Sequence, residues 1–211
     1  IEGISLVSTN SDASHFTGPG HHIRDSYIEV NSDGTAQRTG ILLNDCDSAI
    51  LDHLHLNGQW NENVIGIRVD GILNASVDGV IRDSYFENFG TIGVSGQGIN
   101  LNNAQRWLIT KNVFNSCYNG IFCMVMPNSM HSIIGNQFYS NSNFDICDMN
   151  TDPIASGIFI SNNFYGYVDW FDDPDHDGIA SVPIQCYHNY DYAPLAYPHY
   201  QGPSFSSRFF A

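Results

Sequence analysis

Apolar residues recur along this chain in short alternating runs and never at helical spacing. One segment type reads "HIRDSYI" (22–28), "ILDHLHL" (50–56), "VIRDSYF" (80–86), "ITKNVFN" (109–115), "IIGNQFY" (133–139) and "FISNNFY" (159–165). A second type falls between them: "GILLND" (40–45), "GIRVDG" (66–71), "GINLNN" (98–103), "GIFCMV" (120–125) and "DICDMN" (145–150). Both are rich in β-branched and aromatic residues, and Gly, Asn, Ser and Asp fill the gaps. Such runs predict strands. Anchored on its polar fourth residue, the first type gives Asp25, His53, Asp83, Asn112, Asn136 and Asn162, at steps of 28, 30, 29, 24 and 26 residues.

A repeat of this length carrying two or three short strands predicts one turn of a parallel β-helix. The expected fold is therefore all-β: a single-stranded, right-handed parallel β-helix (a solenoid) of about six coils. Coils would stack about 4.8 Å apart. Ile41, Ile67, Ile99, Ile121 and Ile146 would then form an interior aliphatic column. Asn112, Asn136 and Asn162, with Asp83 and Asp25, would form a polar ladder at a bend, where side chains satisfy backbone groups that the turn leaves unpaired. A β-sandwich would show hairpin turns between neighbouring strands, a propeller would need a longer repeat, and leucine-rich repeats would need their leucine pattern. Residues 1–167 are assigned to the coils, 168–195 to a terminal coil with an acidic loop, and 196–211 to an aromatic, Pro-rich tail of the same domain.

Charge narrows the partners. Asp and Glu number 22 against 7 Lys and Arg, a formal charge of -15. Nucleic acid and anionic membranes need a basic footprint that this chain lacks, and no apolar run is long enough to span a bilayer. Cys46, Cys117, Cys123, Cys147 and Cys186 form no metal-binding spacing. They read as small buried hydrophobes, with room for one disulfide. The chain opens inside a strand-like segment, "IEGISLV", and is expected to be a fragment or a processed product.

The recurrent "I-x-x-N-x-F" with interleaved "G-I-x-[LV]" resembles the right-handed parallel β-helices of the pectin-lyase-like superfamily. "NNFYGYVDWFDDPDHDGIASVPI" followed by "NYDYAPL" is similar to the terminal coil of NosD-type carbohydrate-binding and sugar-hydrolase repeat domains. Phe164-Tyr165 and Ala180-Ser181 depart from that pattern. Phage tailspikes share the fold. The resemblance implies a carbohydrate ligand, and it gives copper some place among metals for the histidines His21, His22, His53 and His55.

Candidate chemistry falls into three groups. In the acidic loop, Asp173, Asp175 and Asp177 alternate ahead of Gly178, with the carbonyl of Ile179 next; this spacing suits a structural Ca2+ ion, and Asp172 could add a ligand. Ile184 stands where an EF-hand needs Glu, so the loop is not an EF-hand. Outward from the isoleucine column, Asn44, Arg68, Asp70, Asn100, Asn102 and Phe122 would line one face and offer donors and acceptors to sugar hydroxyls. For catalysis, Asp45 and Asp47, with Asp70 across coils, could supply the carboxylate pair of a glycoside hydrolase, about 5–9.5 Å apart. Arg82 and Lys111, aligned by the anchoring above, could serve a polysaccharide lyase. Polar outward residues and chance acid pairs are expected in such a chain, so the leading expectation is an extracellular or virion-surface β-helix that binds polysaccharide, as a segment of a tailspike or surface protein. The alternatives are a polysaccharide-degrading enzyme and a structural module of a larger assembly such as a homotrimer.

Overall fold

The structure, a computed structural model, describes residues 1–8, 12–34, 36–90, 95–124, 128–149, 157–166, 184–186, 189–191 and 194. Among them are strands and no helix. The strands stack in parallel as a β-solenoid of about five turns, close to the coil number expected from the repeat. A six-stranded sheet stacks Ser14–Thr17, Arg38–Asn44, Val64–Asp70, Gly96–Asn102, Asn119–Cys123 and Phe144–Asp148 in chain order. An eleven-stranded sheet begins with Ser5–Ser8, His22–Val30 and Ile50–Asn57. Beyond these, each coil contributes two short strands: Val80–Arg82 and Tyr85–Glu87, Leu108–Thr110 and Val113–Asn115, Ser132–Ile134 and Gln137–Tyr139, Phe159–Ser161 and Phe164–Tyr165. Ser76–Val77 pairs with Ala104–Gln105 at another wall, and Ile184–Cys186 forms an antiparallel pair with Asn189–Asp191.

Register turns the sequence repeat into columns. Ile41, Ile67, Ile99, Ile121 and Ile146 are partners coil to coil, and each is at most 1% exposed. On the opposite wall Ile23, Leu51, Ile81, Ile109, Ile133 and Ile160 form a second buried column. A third runs Ile28, Leu56, Phe86, Phe114, Phe138 and Tyr165. Its rings stack nearly parallel, with centroids 4.8, 5.1 and 5.4 Å apart from Phe86 to Tyr165. Burial of these columns is the main favourable contribution to the fold.

The bend inside the eleven-stranded sheet corrects the expected polar ladder. Asp25, His53, Asp83 and Asn162 sit at the bend with φ between 50° and 57°, and Lys111 and Gly135 occupy the same place in their coils, at 56° and 68°. Asp, Asn and Gly tolerate this left-handed backbone best. The interior ladder lies one residue later: Ser84, Asn112, Asn136 and Asn163, all fully buried. Each side-chain oxygen accepts the backbone N–H of the coil before it: Leu54 to Ser84, Ser84 to Asn112, Asn112 to Asn136 and Asn136 to Asn163, at 2.9–3.1 Å. The ladder ends on Asp191, whose Oδ2 accepts from Asn163 N, Asn163 Nδ2 and the Tyr165 hydroxyl. Asn112 and Asn136 therefore belong to the ladder as expected, whereas Asn162, Asp83 and Asp25 belong to the bend.

Candidate functional site

Strand alternation sends Ile67 and Val69 inward and Arg68 and Asp70 outward. On that outer face Leu42, Arg68, Asn100 and Phe122 are in register, and Asn44, Asp70 and Asn102 form the next row. The six residues expected to meet a glycan are thus on one sheet face. Arg68 Nη2 donates to Asp70 Oδ2 at 2.6 Å and Nη1 to Gln37 Oε1 at 3.1 Å. Asn102 Nδ2 donates to Asp70 Oδ1 at 2.9 Å, Asn100 Nδ2 to Gln97 Oε1 at 2.5 Å, and Asn44 Nδ2 to His15 Nε2 at 2.7 Å. Asn44 and Asn100 are only 7% and 9% exposed. Their Oδ1 atoms and Arg68 Nε are shielded from solvent yet have no hydrogen-bond partner among the described residues. Such groups normally find one.

Asp45, Asp47, Asp70 and Arg82, offered for catalysis, each have a partner within the fold. Asp45 Oδ1 accepts from the N–H groups of Leu73 and Asn74, which hold its carboxyl below the usual range, and Asp47 Oδ1 accepts from Val77 N. Both carboxylates thus hold the loop after Val64–Asp70. Asp70 belongs to the Arg68–Asn102 network. Arg82 pairs in register with Thr110, not Lys111, because Lys111 occupies the bend beside Asp83's place in the previous coil. Arg82 Nη2 binds Asp52 Oδ2 at 3.1 Å.

The calcium candidates Asp173, Asp175, Asp177 and Ile179, with Asp172, lie outside the described residues. Among the described residues no group of three His, Cys, Asp or Glu is placed to hold a metal. Two of the histidines meet at one carboxylate, His22 Nε2 lying 3.2 Å from Asp52 Oδ1 and His53 Nδ1 4.0 Å from Asp52 Oδ2, while His55 Nε2 lies 2.8 Å from Glu87 Oε1 and His21 Nε2 contacts Thr17 O. All five cysteines are buried, and none is in a disulfide. Burial pushes the thiols of Cys46 and Cys147 up to about 11 and those of Cys117 and Cys186 to about 12. They stay protonated at neutral pH and do not act as nucleophiles.

A second outer face was missed by the sequence reading. Tyr27, His55 and Tyr85 are in register on the eleven-stranded sheet, and Glu29, Asn57, Glu87, Asn115 and Tyr139 form the row beside them. The His55 ring meets both tyrosines edge to face, with centroids 5.1 and 5.3 Å apart. Glu29 accepts from Asn31 Nδ2 at 2.8 Å and from the Tyr27 hydroxyl at 3.4 Å. Glu87 is bound by His55 and by Asn57 Nδ2, the latter at 3.1 Å. Burial and the neighbouring glutamates raise the Tyr27 phenol, and burial chiefly raises that of Tyr85. The signal was present: Tyr27, His55 and Tyr85 share the sixth place of the first segment type.

Fold and faces together define a parallel β-solenoid that displays two polar outer walls. No protein-family model, no curated protein and no solved structure matches the chain.

Proposed function

We propose that this solenoid binds carbohydrate, as a segment of an extracellular or virion-surface protein, and that it is a β-helix of the pectin-lyase-like kind with a NosD-like terminal coil. One observation carries the reading: Asn44 Oδ1, Asn100 Oδ1 and Arg68 Nε are buried on a single outer face with no partner among the described residues. Two acceptors and one donor, spread over two adjacent rows of that face, match the hydroxyls of a sugar, which both donate and accept. Leu42 and Phe122 add apolar surface for the ring face. The test is a glycan array probed with the whole chain, followed by titration of Asn100→Ala. A bound glycan should lose affinity roughly tenfold in that variant, as expected when a buried polar contact is removed. Turnover of the glycan would instead indicate an enzyme, with an unsaturated, ultraviolet-absorbing product marking a lyase. Absence of glycan binding in a stable homotrimer would favour a structural module and sink the proposal.

Calcium at Asp173, Asp175 and Asp177 is part of the same proposal and rests on their spacing. An ion there would pin the last coil, so chelation with EDTA should lower the melting temperature and loosen the C-terminal coil first. An unchanged melting temperature after EDTA would leave the loop as a solvated acidic turn.

A further inference from the structure

We infer that the wall of Tyr27, His55, Tyr85, Glu29 and Glu87 is a second glycan site, selective for polysaccharides that carry protonated amino sugars. It is separate from the six-stranded sheet face and rests on different observations. The first is charge. Glu29 and Glu87 are partly withdrawn from water, the Glu87 side chain being 21% exposed. Among the described residues the arginine ion pairs go to Glu2, Asp25, Asp52, Asp70, Asp78 and Asp83, and none goes to either glutamate. Their partners are the amides of Asn31 and Asn57, the Tyr27 hydroxyl and His55. Among the described residues no ion pair reaches Glu29, and Glu87 has only the His55 imidazole, 2.8 Å away; a partly desolvated carboxylate gains from a full cation.

The second observation is the tyrosines beside them. Aromatic rings attract cations through their faces and offer apolar area to the C–H side of a sugar ring. The third is periodicity. Glu29, Asn57, Glu87 and Asn115 alternate carboxylate and amide coil by coil, so the two glutamate positions lie about 10 Å apart along the solenoid axis, twice the strand spacing. A small cation would use one carboxylate and gain nothing from that spacing. A linear polysaccharide whose successive rings are turned over presents its amino groups to one side at every second sugar. Its amines would meet the glutamates, and the hydroxyls of the intervening sugars would meet Asn57 and Asn115. The chain's formal charge of -15 would also draw such a polycation from solution.

The test is calorimetric titration of the whole chain with a glucosamine oligomer, its N-acetylated counterpart of equal length, and a lysine oligomer of equal charge, in slightly acidic buffer. The deacetylated sugar should bind at least roughly tenfold more tightly than either of the others. The double variant E29Q/E87Q, which keeps shape and removes charge, should abolish most of that preference. The variant D25N/D83N removes the same charge from the bend of the same two coils, where Asn tolerates the positive φ, and should bind as the unmodified protein does. Equal binding of the acetylated sugar or of the lysine oligomer overturns the inference, and so does an equal loss in both variants. The ligand comparison uses unmodified protein and stands whatever the variants do to folding. Binding of neutral glycans alone would overturn this site and leave the proposed function intact.

Discussion

Exchanging Asn136 for alanine is expected to cost about 4 kcal/mol of stability, read from the midpoint of urea unfolding. Asn136 is fully buried and uses its whole amide. Its Oδ1 accepts from Asn112 N and Asn112 Nδ2 at 3.0 and 3.1 Å; its Nδ2 donates to Ile109 O and Asn163 Oδ1 at 2.9 and 3.1 Å. Alanine deletes four bonds and leaves their partners in an interior that water does not reach. The defect also sits in a coil flanked on both sides. Each coil of a solenoid is held by its neighbours, so the following coil, Phe159–Ser161 and Phe164–Tyr165, loses part of its template. Asn136→Ser should recover a substantial fraction, because Ser84 already shows a hydroxyl accepting the equivalent backbone N–H, from Leu54 at 3.1 Å. A loss below about 1 kcal/mol for the alanine variant would mean that the ladder is incidental.

How much of this was legible depends on which way a residue points. The isoleucine column could be read because interior positions accept only a narrow range of shapes, so Ile41 through Ile146 repeat one residue type. The ladder was displaced by one position because polarity alone does not separate a bend residue from an inward one. Asp25 and Asp83 precede inward serines, Lys111 and Gly135 precede inward asparagines, and in Asn162-Asn163 both places hold the same residue. The same ambiguity aligned Arg82 with Lys111, where the strands pair Arg82 with Thr110. The outer row of the six-stranded sheet followed from the isoleucines, since outward residues flank inward ones. The second wall was hidden because no core constraint unifies it: its column runs Tyr27, His55, Tyr85, Val113, Gln137 and Phe164. Its glutamates, Glu29 and Glu87, lie just past the segments that revealed the repeat.

The two segment types also prove to be one device, and Gly98→Ala is expected to expose it with a loss of about 3 kcal/mol. The glycine of "GIRVDG", "GINLNN" and "GIFCMV" faces the phenylalanine of "VIRDSYF", "ITKNVFN" and "IIGNQFY" across the interior. A Cβ at Gly98 would stand 2.7 Å from the carbonyl oxygen of Gly120 and 2.8 Å from the ring of Phe114; at Gly120 it would meet the ring of Phe138 at 3.0 Å. Each ring thus occupies the volume that a side chain on the opposite sheet would need, which is why glycine and phenylalanine recur together. The carbonyl belongs to the neighbouring strand and cannot retreat without breaking the parallel register. Phe114→Ala should cost about 3–5 kcal/mol by emptying the space and interrupting the ring stack. The double variant should then lose less than the sum by about 1 kcal/mol, because the new methyl enters the vacated space and only the clash with Gly120 O persists. Strict additivity in that cycle would separate the two motifs again and leave the glycines explained by the backbone contact alone.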